Sequence, residues 1–151
     1  MIVQVDQSVK IEQTHADTVI GISNGKQCAA IIPRKIKRKL EDKFRQAGRR
    51  RLFSLRTFIA GVVLGLEKMK MKNLSDVVID IEYVGQERRL SSIFLEMWSR
   101  NHDTVPDVSF KLIGKRSKAH EVCWRTQRGE RKPTIVLTYG DLKKLALPGI
   151  N

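Results

Sequence analysis

The sequence predicts a single α/β domain in which a mixed five-stranded sheet, three antiparallel strands followed by parallel strands, is flanked by helices. Three short runs rich in β-branched residues open the chain, and Asn24-Gly25 between the second and third is a strong hairpin signal. After them, apolar residues at helical spacing alternate with two more strand-like runs, which favours parallel pairing through helical crossovers. The 151 residues are enough for one core, so we interpret residues 1–151 as one domain.

The first three strands are predicted at residues 1–5, 17–23 and 27–32. Side chains alternate between the two faces of a strand, so Asp6 lies on the face of Ile2 and Gln4. An acidic residue at the end of the first strand is therefore a candidate site residue.

The segment 34–51 is rich in Lys and Arg and begins directly after Pro33, which stops the third strand. Ile36, Leu40 and Phe44 recur at four-residue spacing and predict a short amphipathic helix that ends at Gly48. Such a segment is either an ordinary solvated helix face or a surface for the nucleic-acid backbone. The candidate nucleic-acid-binding residues here are Lys35, Lys37, Arg38, Arg49, Arg50 and Arg51.

A core helix follows from Ser54, its predicted N-cap, to Met69, because the apolar residues in this stretch form a broad helical stripe. Gly61 and Gly65 lie about one turn apart on it, which indicates close approach to the sheet rather than a phosphate-binding loop.

Two carboxylates interrupt the next strand-like run, residues 75–84, which otherwise reads as a strand buried on both faces. Alternation places Asp80 and Glu82 on the same face. Because unpaired carboxylates are costly to bury, they either face cationic side chains of a covering helix or form an acidic metal site at the end of the strand.

The remaining elements are a helix around residues 90–98, a strand at 107–113 and a helix capped by Ser117. His120 falls in the first turn of that last helix, where it either serves the capping of the helix or reaches a site. Residues 129–151 form a C-terminal extension with a short edge strand at 134–139 and a terminal helix capped by Thr138.

The formal net charge of +13 predicts a polyanionic partner, with nucleic acid as the default. The longest apolar stretch, residues 58–66, is too short to cross a bilayer and the N-terminus reads as a strand rather than a signal peptide, so we expect a cytoplasmic protein with no membrane partner. Cys28 and Cys123 lack paired zinc-ligand spacing and are interpreted as reduced, packed thiols.

This order of elements resembles the ribonuclease H-like superfamily over residues 1–128, and is closest in pattern to RuvC-type Holliday junction resolvases. Asp6-Gln7-Ser8 is similar to the first-strand aspartate motif, with Gln7 where glycine or proline is usual. Glu82 or Asp80 stands for the acid of the fourth strand, and His120 for the ligand near the start of the final helix. The core helix has no acid in its first turn, which favours the resolvase pattern over ribonuclease H proper.

The resemblance implies a Mg²⁺- or Mn²⁺-dependent nuclease that hydrolyses phosphodiesters in structured nucleic acid, such as branched DNA or an RNA-containing duplex. It implies that Asp6 bridges two ions, that Glu82 binds one with Asp80 beside it, and that His120 binds an ion or positions the attacking water. Lys115, Arg116 and Lys118 would hold the scissile backbone.

Two questions stay open in the sequence. The resemblance implies a homodimer, with the helix that carries Phe94, Met97 and Trp98 as either a two-fold interface or part of the core. The alternative to the nuclease is a non-catalytic nucleic-acid-binding protein of the same fold, either RNA-binding or ribosome-associated, for which the charge alone would suffice.

Overall fold

A computed structural model describes residues 1–71 and 73–147 of the protein. The strands are β1 (Ile2–Ser8), β2 (Thr18–Ser23), β3 (Gln27–Ile32), β4 (Asp76–Asp80), β5 (Asp107–Lys111) and β6 (Ile135–Val136). The helices are α1 (Arg34–Gln46), α2 (Phe53–Met69), α3 (Glu87–Trp98), α4 (Lys118–Gln127) and α5 (Tyr139–Ala146), with a short 3-10 helix at Arg50–Leu52. The predicted order of elements is thus confirmed.

The strands form one mixed sheet in the order β5-β4-β1-β2-β3-β6. Strands β1, β2 and β3 pair antiparallel, whereas β4 pairs parallel with both β1 and β5. The prediction of five strands was wrong, because the short edge strand at Ile135–Val136 pairs parallel with β3 and adds a sixth. The α/β class and the change from antiparallel to parallel pairing are as predicted.

Helices α2 and α4 contact the sheet from opposite faces. On the first face, a Cβ atom added to Gly61 would lie 2.4 Å from Ile20 Cδ1, and one added to Gly65 would lie 2.6 Å from Ile22 Cδ1. Glycine at these positions therefore lets α2 approach the sheet closely, as predicted. Helix α3 packs against α2 and β5.

Helix α4 covers β1, β2 and β3 on the second face. Strand β4 was predicted to be buried on both faces, but only Val77 and Ile79 are buried, while Val78 and Asp80 are half-buried. The prediction was wrong because residues 75–84 carry apolar side chains on both faces of the strand, whereas α4 covers β1, β2 and β3 and leaves one face of β4 open. A partly open cleft is left above β4, beside α4.

Side-chain caps mark the start of two helices, α4 and α5. The Ser117 and Thr138 hydroxyls accept hydrogen bonds from the backbone N–H groups of His120 and Asp141, so the caps predicted for α4 and α5 are confirmed. Ser54, in contrast, does not cap α2, because the helix already begins at Phe53 and has no side-chain cap.

The C-terminal extension is part of the core. Strand β6 extends the sheet, and α5 packs on α2. The buried Arg56 on α2 donates to the carbonyl oxygen of Ala146 at 2.6 Å, and its guanidinium forms a bidentate pair with Glu96 on α3. The bond to Ala146 satisfies a carbonyl group at the end of α5 that has no partner within the helix. Residues 148–151 of the predicted extension lie outside the described residues.

Several side chains named from the sequence belong to the core. Phe94 and Met97 are fully buried and Trp98 is 7% exposed, so they pack in the core. Cys28 and Cys123 are buried free thiols, as predicted. None of the helices in residues 1–71 and 73–147 has the length and apolar character to span a bilayer.

Candidate active site

The predicted site residues meet at the edge of the sheet where the parallel strands β1, β4 and β5 end. Asp6 lies near the end of β1, and Asp80 is the last residue of β4. The predicted strand at residues 75–84 ends earlier than expected, so Glu82 lies in the loop after β4 and not on a strand face. Alternation along the strand, the argument that joined Asp80 to Glu82, was therefore wrong for Glu82.

The three acidic side chains nevertheless converge. One carboxylate oxygen each from Asp6, Asp80 and Glu82 lies within 4.8 Å of the others. They line a cavity of about 350 Å³ together with Lys115 and His120. Carboxylate oxygens at this spacing are a donor set that suits a hard divalent cation such as Mg²⁺ or Mn²⁺.

Backbone groups fix the orientation of two of these carboxylates. Asp6 Oδ1 accepts a hydrogen bond of 2.8 Å from the N–H of Gln7. Asp80 Oδ1 accepts one of 2.8 Å from the N–H of Ile113, just after β5. Each aspartate therefore has one oxygen held by a backbone N–H, so two of the three carboxylates are fixed near the ends of β1 and β4.

His120 contacts the cluster from α4. Its Nδ1 lies 2.9 Å from Asp6 Oδ2, while its side chain is about one-third exposed and lines the cavity. With the proton on Nδ1, the imidazole donates to Asp6 and leaves Nε2 without that contact. His120 is not one of the three residues whose ligand atoms cluster, so its contact with Asp6 indicates that it orients this carboxylate.

A glycine on β2 allows α4 to carry His120 this close. Gly21 pairs with Asp6 across the sheet, and a Cβ atom there would lie 2.4 Å from the carbonyl oxygen of Ala119 and 2.7 Å from Cys123 Sγ. Helix α4 thus rests directly on the backbone of β2. The first turn of α4 is thereby placed beside the end of β1.

The pKa values of two carboxyl groups in the cluster, Glu82 and Asp6, are raised. Burial, a hydrogen bond with Asp80 and the negative charges of Asp6 and Asp80 raise the pKa of Glu82 from 4.5 to about 7, while Lys10 opposes the shift. Burial also raises the pKa of Asp6, against the lowering effect of its hydrogen bonds with His120 and Gln7. Burial is the largest cause for both groups, and the negative charges of neighbouring carboxylates add to it.

Basic residues surround the cavity on the side of α4. Lys115, Arg116 and Lys118 are exposed on the loop before α4 and on its first residue, as a role in backbone binding requires. Lys35, Arg38, Arg49, Arg50 and Arg51 are also exposed. The three consecutive arginines precede α2, which lies on the face of the sheet opposite α4, and Arg50 pairs with Glu41 of α1 at 3.3 Å.

Lys37 differs from the other predicted nucleic-acid contacts. Its side chain is fully buried, and Nζ donates to the carbonyl oxygen of Gln13 at 2.8 Å and to Thr18 Oγ1 at 2.9 Å. Burial lowers its pKa to about 8. The ammonium group therefore holds the β1–β2 loop against α1 and is not part of a phosphate-binding surface, which corrects the prediction for Lys37.

Sequence reasoning missed three residues at this site. Gly21 was not singled out because a glycine inside a strand does not reveal what lies above it. Lys10, on the loop after β1, was not connected with Glu82, although its positive charge opposes the rise in the pKa of that carboxyl. Trp124 on α4 was given no role, because its 45% exposure is visible only in the fold.

Comparison of the chain with protein-family models, with curated proteins and with solved structures finds no match. The fold and the geometry of the acidic cluster are therefore the basis for assigning a function.

Proposed function

We propose that this protein is a metal-dependent nuclease of the ribonuclease H-like type, which hydrolyses phosphodiesters in structured nucleic acid. The observation that carries the proposal is the convergence of Asp6, Asp80 and Glu82 in a chain with a net charge of +13. An acidic cluster attracts cations and repels phosphates, so its place beside exposed basic residues is explained when a divalent ion bridges carboxylates and substrate. Branched DNA is the substrate that the resemblance to junction resolvases implies.

The order of elements supports the ribonuclease H-like assignment. Three antiparallel strands, helices, a strand that ends in an acid, a helix, a further parallel strand and a final helix make up the pattern that carries the resemblance. Asp6, Asp80 and His120 come from the elements that the resemblance names, which are the first strand, the fourth strand and the final helix of the pattern. Strand β6 and helix α5 are additions to that pattern.

The residues present fit a divalent ion of the Mg²⁺ class, because all three donors are carboxylates whose oxygen atoms converge within 4.8 Å. A bound pair of such ions would activate water and offset charge on the leaving oxygen. Asp6, Asp80 and Glu82 would hold the ions.

The other residues of the site act on protons and on the substrate backbone. His120 fixes the rotamer of Asp6 through Nδ1, and its Nε2 is available to accept a proton at the cavity. Lys115, Arg116 and Lys118 neutralise the phosphates on either side of the bond that is cut, which positions the strand without reading its sequence.

Cleavage assays test the proposal. Purified protein is incubated with four-way junctions, flaps, RNA–DNA hybrids and blunt duplex in Mg²⁺ or Mn²⁺, with EDTA as the control. We expect cleavage of at least one structured substrate and none in EDTA. Binding without cleavage of any of these substrates in either metal would contradict the nuclease and favour the non-catalytic nucleic-acid-binding alternative.

The raised pKa of Glu82 predicts how stability depends on pH and on metal. Between pH 4.5 and about 7 the folded protein binds more protons at this group than the unfolded chain does, so its contribution to stability is lost as the pH rises through 7. In EDTA the Tm should therefore decrease across this window. Saturating Mg²⁺ should raise the Tm at pH 7.5 by roughly 5–10 °C, because it binds only the folded state.

Two variants control this measurement. Glu82→Gln should flatten the pH dependence in EDTA and reduce the response to Mg²⁺, whereas Glu130→Gln, an exposed glutamate outside the cluster, should change neither. A Tm that is independent of Mg²⁺ in the wild type would show that the carboxylates hold no ion under these conditions.

The basic segments predict a change in salt dependence. Replacing Lys115, Arg116 and Lys118 with Ala should weaken duplex binding and flatten the log–log salt dependence by about 0.9 for each phosphate that the variant no longer neutralises. Replacing Arg49, Arg50 and Arg51 should act in the same way.

Binding is measured by fluorescence anisotropy over a salt series. Lys26→Ala combined with Lys68→Ala, which removes two positive charges instead of three, is the control, because these exposed lysines lie at the β2–β3 turn and at the end of α2, away from the cleft. An unchanged slope in either triple variant would remove that segment from the interface.

A further inference from the structure

An exposed tryptophan lies one helical turn beyond His120 on α4. Trp124 is 45% exposed, whereas the other tryptophan, Trp98, is 7% exposed, stacks on Phe94 and donates its indole N–H to the carbonyl oxygen of Thr104. The core therefore explains Trp98 but leaves much of the Trp124 indole in solvent. A large aromatic surface exposed beside a cleft is typical of a binding surface.

The surroundings of Trp124 leave room on the side of the acidic cluster. The Arg128 guanidinium lies over the indole with Cζ 4.5 Å from the ring centroid, one turn toward the end of α4. A cavity of about 410 Å³ is lined by Trp124, His120, Glu121 and the loop residues Lys115 and Arg116, and Arg128 does not line it. Lys115 and His120 also line the acidic cavity, so the two cavities adjoin.

The charge around Trp124 is positive. Glu121 is the carboxylate in this cavity, and it pairs with Lys118 at 3.3 Å and with Arg125 at 3.7 Å. Its charge is thus offset, while Lys115 and Arg116 remain exposed. An aromatic face within a cationic rim binds the two parts of a nucleotide, because the base stacks on the ring while the phosphate meets the cations.

The aromatic face discriminates between forms of nucleic acid. In a fully paired duplex the faces of the bases are covered by their neighbours, so such a duplex offers this surface only phosphates and sugars. An unpaired base can turn outward and stack. Leu112 also lines the acidic cavity and is 83% exposed. An apolar side chain at this position stabilises contact with an unstacked base but not with a phosphate group.

We propose that an unpaired base stacks on Trp124 while the phosphate to be cut lies at the acidic cluster. His120 and Trp124 are four residues apart, about 6 Å along the helix, which corresponds to roughly two nucleotide steps of 3.4 Å. The substrate class is therefore nucleic acid with an unpaired or easily opened base within about two nucleotides of the cut. The inference rests on the proposed nuclease function for the identity of the neighbouring cleft.

Binding in EDTA tests the inference without any need for cleavage. Two labelled DNAs of the same length are compared, one a blunt duplex and one with a short single-stranded gap. The wild type should bind the gapped DNA more tightly, and Trp124→Ala should weaken that binding roughly 5- to 150-fold while changing blunt-duplex affinity little. Trp124→Phe should keep most of the preference, because the ring is retained.

Fluorescence supplies a second readout. The gapped DNA should quench the emission of Trp124 more strongly than the blunt duplex does, and this difference should disappear in Trp124→Phe, which retains only the buried Trp98. Leu95→Ala removes an apolar side chain of similar exposure from α3 and should leave both affinities unchanged.

The outcomes separate this inference from the proposed function. Equal weakening of both DNAs by Trp124→Ala, or no weakening of either, would overturn base stacking even if the wild type cleaves DNA. A preference for gapped DNA that depends on Trp124 supports stacking even if no substrate is cut, in which case only the nuclease proposal fails.

Discussion

Asp6→Asn is expected to reduce phosphodiester cleavage at least about 1000-fold and to leave nucleic-acid affinity within about twofold of the wild type. The amide keeps the shape of the side chain and can still accept the hydrogen bond from the Gln7 N–H, but it loses the charge that retains the cation. The basic residues that bind phosphate are untouched. Single-turnover cleavage and equilibrium binding, measured on the same junction substrate, separate the two effects.

Asp76→Asn is the matched control for this substitution. Asp76 begins β4, whereas Asp80 ends it, so the control changes an aspartate of the same strand about 13 Å from the cluster. It should cleave at the wild-type rate. Because Asp6→Asn also removes repulsion within the cluster, its Tm in EDTA should equal or exceed that of the wild type. Wild-type cleavage by Asp6→Asn would exclude Asp6 from the chemistry.

Gly21→Ala is expected to have the second large effect. The new methyl group would lie 2.4 Å from the carbonyl oxygen of Ala119, and this backbone atom can move only if α4 moves. Lifting the helix would separate His120 from Asp6. We expect a loss of about 1–3 kcal/mol in the free energy of unfolding and a roughly 100-fold decrease in cleavage, since displacements of about 1 Å in an active site have effects of that size.

Two further variants sharpen this test. Gly140→Ala should be neutral or slightly stabilising, because a methyl group there meets no atom within 4 Å and the position lies in α5. Adding Cys123→Ala to Gly21→Ala removes the thiol but not the Ala119 carbonyl group, so rescue should be partial. Complete rescue would show that the thiol alone, and not the path of α4, limits the space above Gly21.

Much of the fold could be predicted because local signals agree with the tertiary structure. Asn24-Gly25 marks the β2–β3 turn, and Ser117 caps α4 where the pattern placed it. The edge strand β6 was visible as the run 134–139, but a strand of two residues carries too little pattern to be counted in a sheet. Its pairing with β3 depends on contacts that no local signal contains.

The end of β4 could not be predicted because its apolar pattern continues past the sheet. Strand β5 ends at Lys111, opposite Asp80, and the Ile81 N–H makes one more bond, to the Lys111 carbonyl oxygen. Beyond that point Tyr83 packs on Phe58 of α2 instead of on a neighbouring strand. Packing outside the sheet therefore half-buries Ile81 and Tyr83, whereas Val84, which also suggested a longer strand, is 82% exposed.

Lys37 shows a similar limit within a helix. It lies three residues before Leu40 and seven before Phe44, so it shares the buried face of α1 with them. Periodicity alone could have placed it inside. Helical periodicity does not show which acceptors make burial tolerable, since they come from Gln13 in the β1–β2 loop and from Thr18 at the start of β2.

The candidate site, too, could be predicted from the sequence only in part. Asp6 and His120 were joined by the resemblance and meet at 2.9 Å, but the cluster includes Asp80 on equal terms with Glu82. Which oxygen atoms converge depends on the turn after β4 and on the Ile113 N–H that holds Asp80. These are long-range contacts, so sequence spacing could name the candidates but not arrange them.

The most direct test of the metal centre is anomalous scattering from crystals soaked in Mn²⁺. We expect a peak among Asp6, Asp80 and Glu82, at metal–oxygen distances of about 2.1 Å, and its loss in crystals of Asp6→Asn treated in the same way. A wild-type crystal with no peak among these carboxylates under saturating Mn²⁺, or with peaks only elsewhere on the surface, would contradict the account.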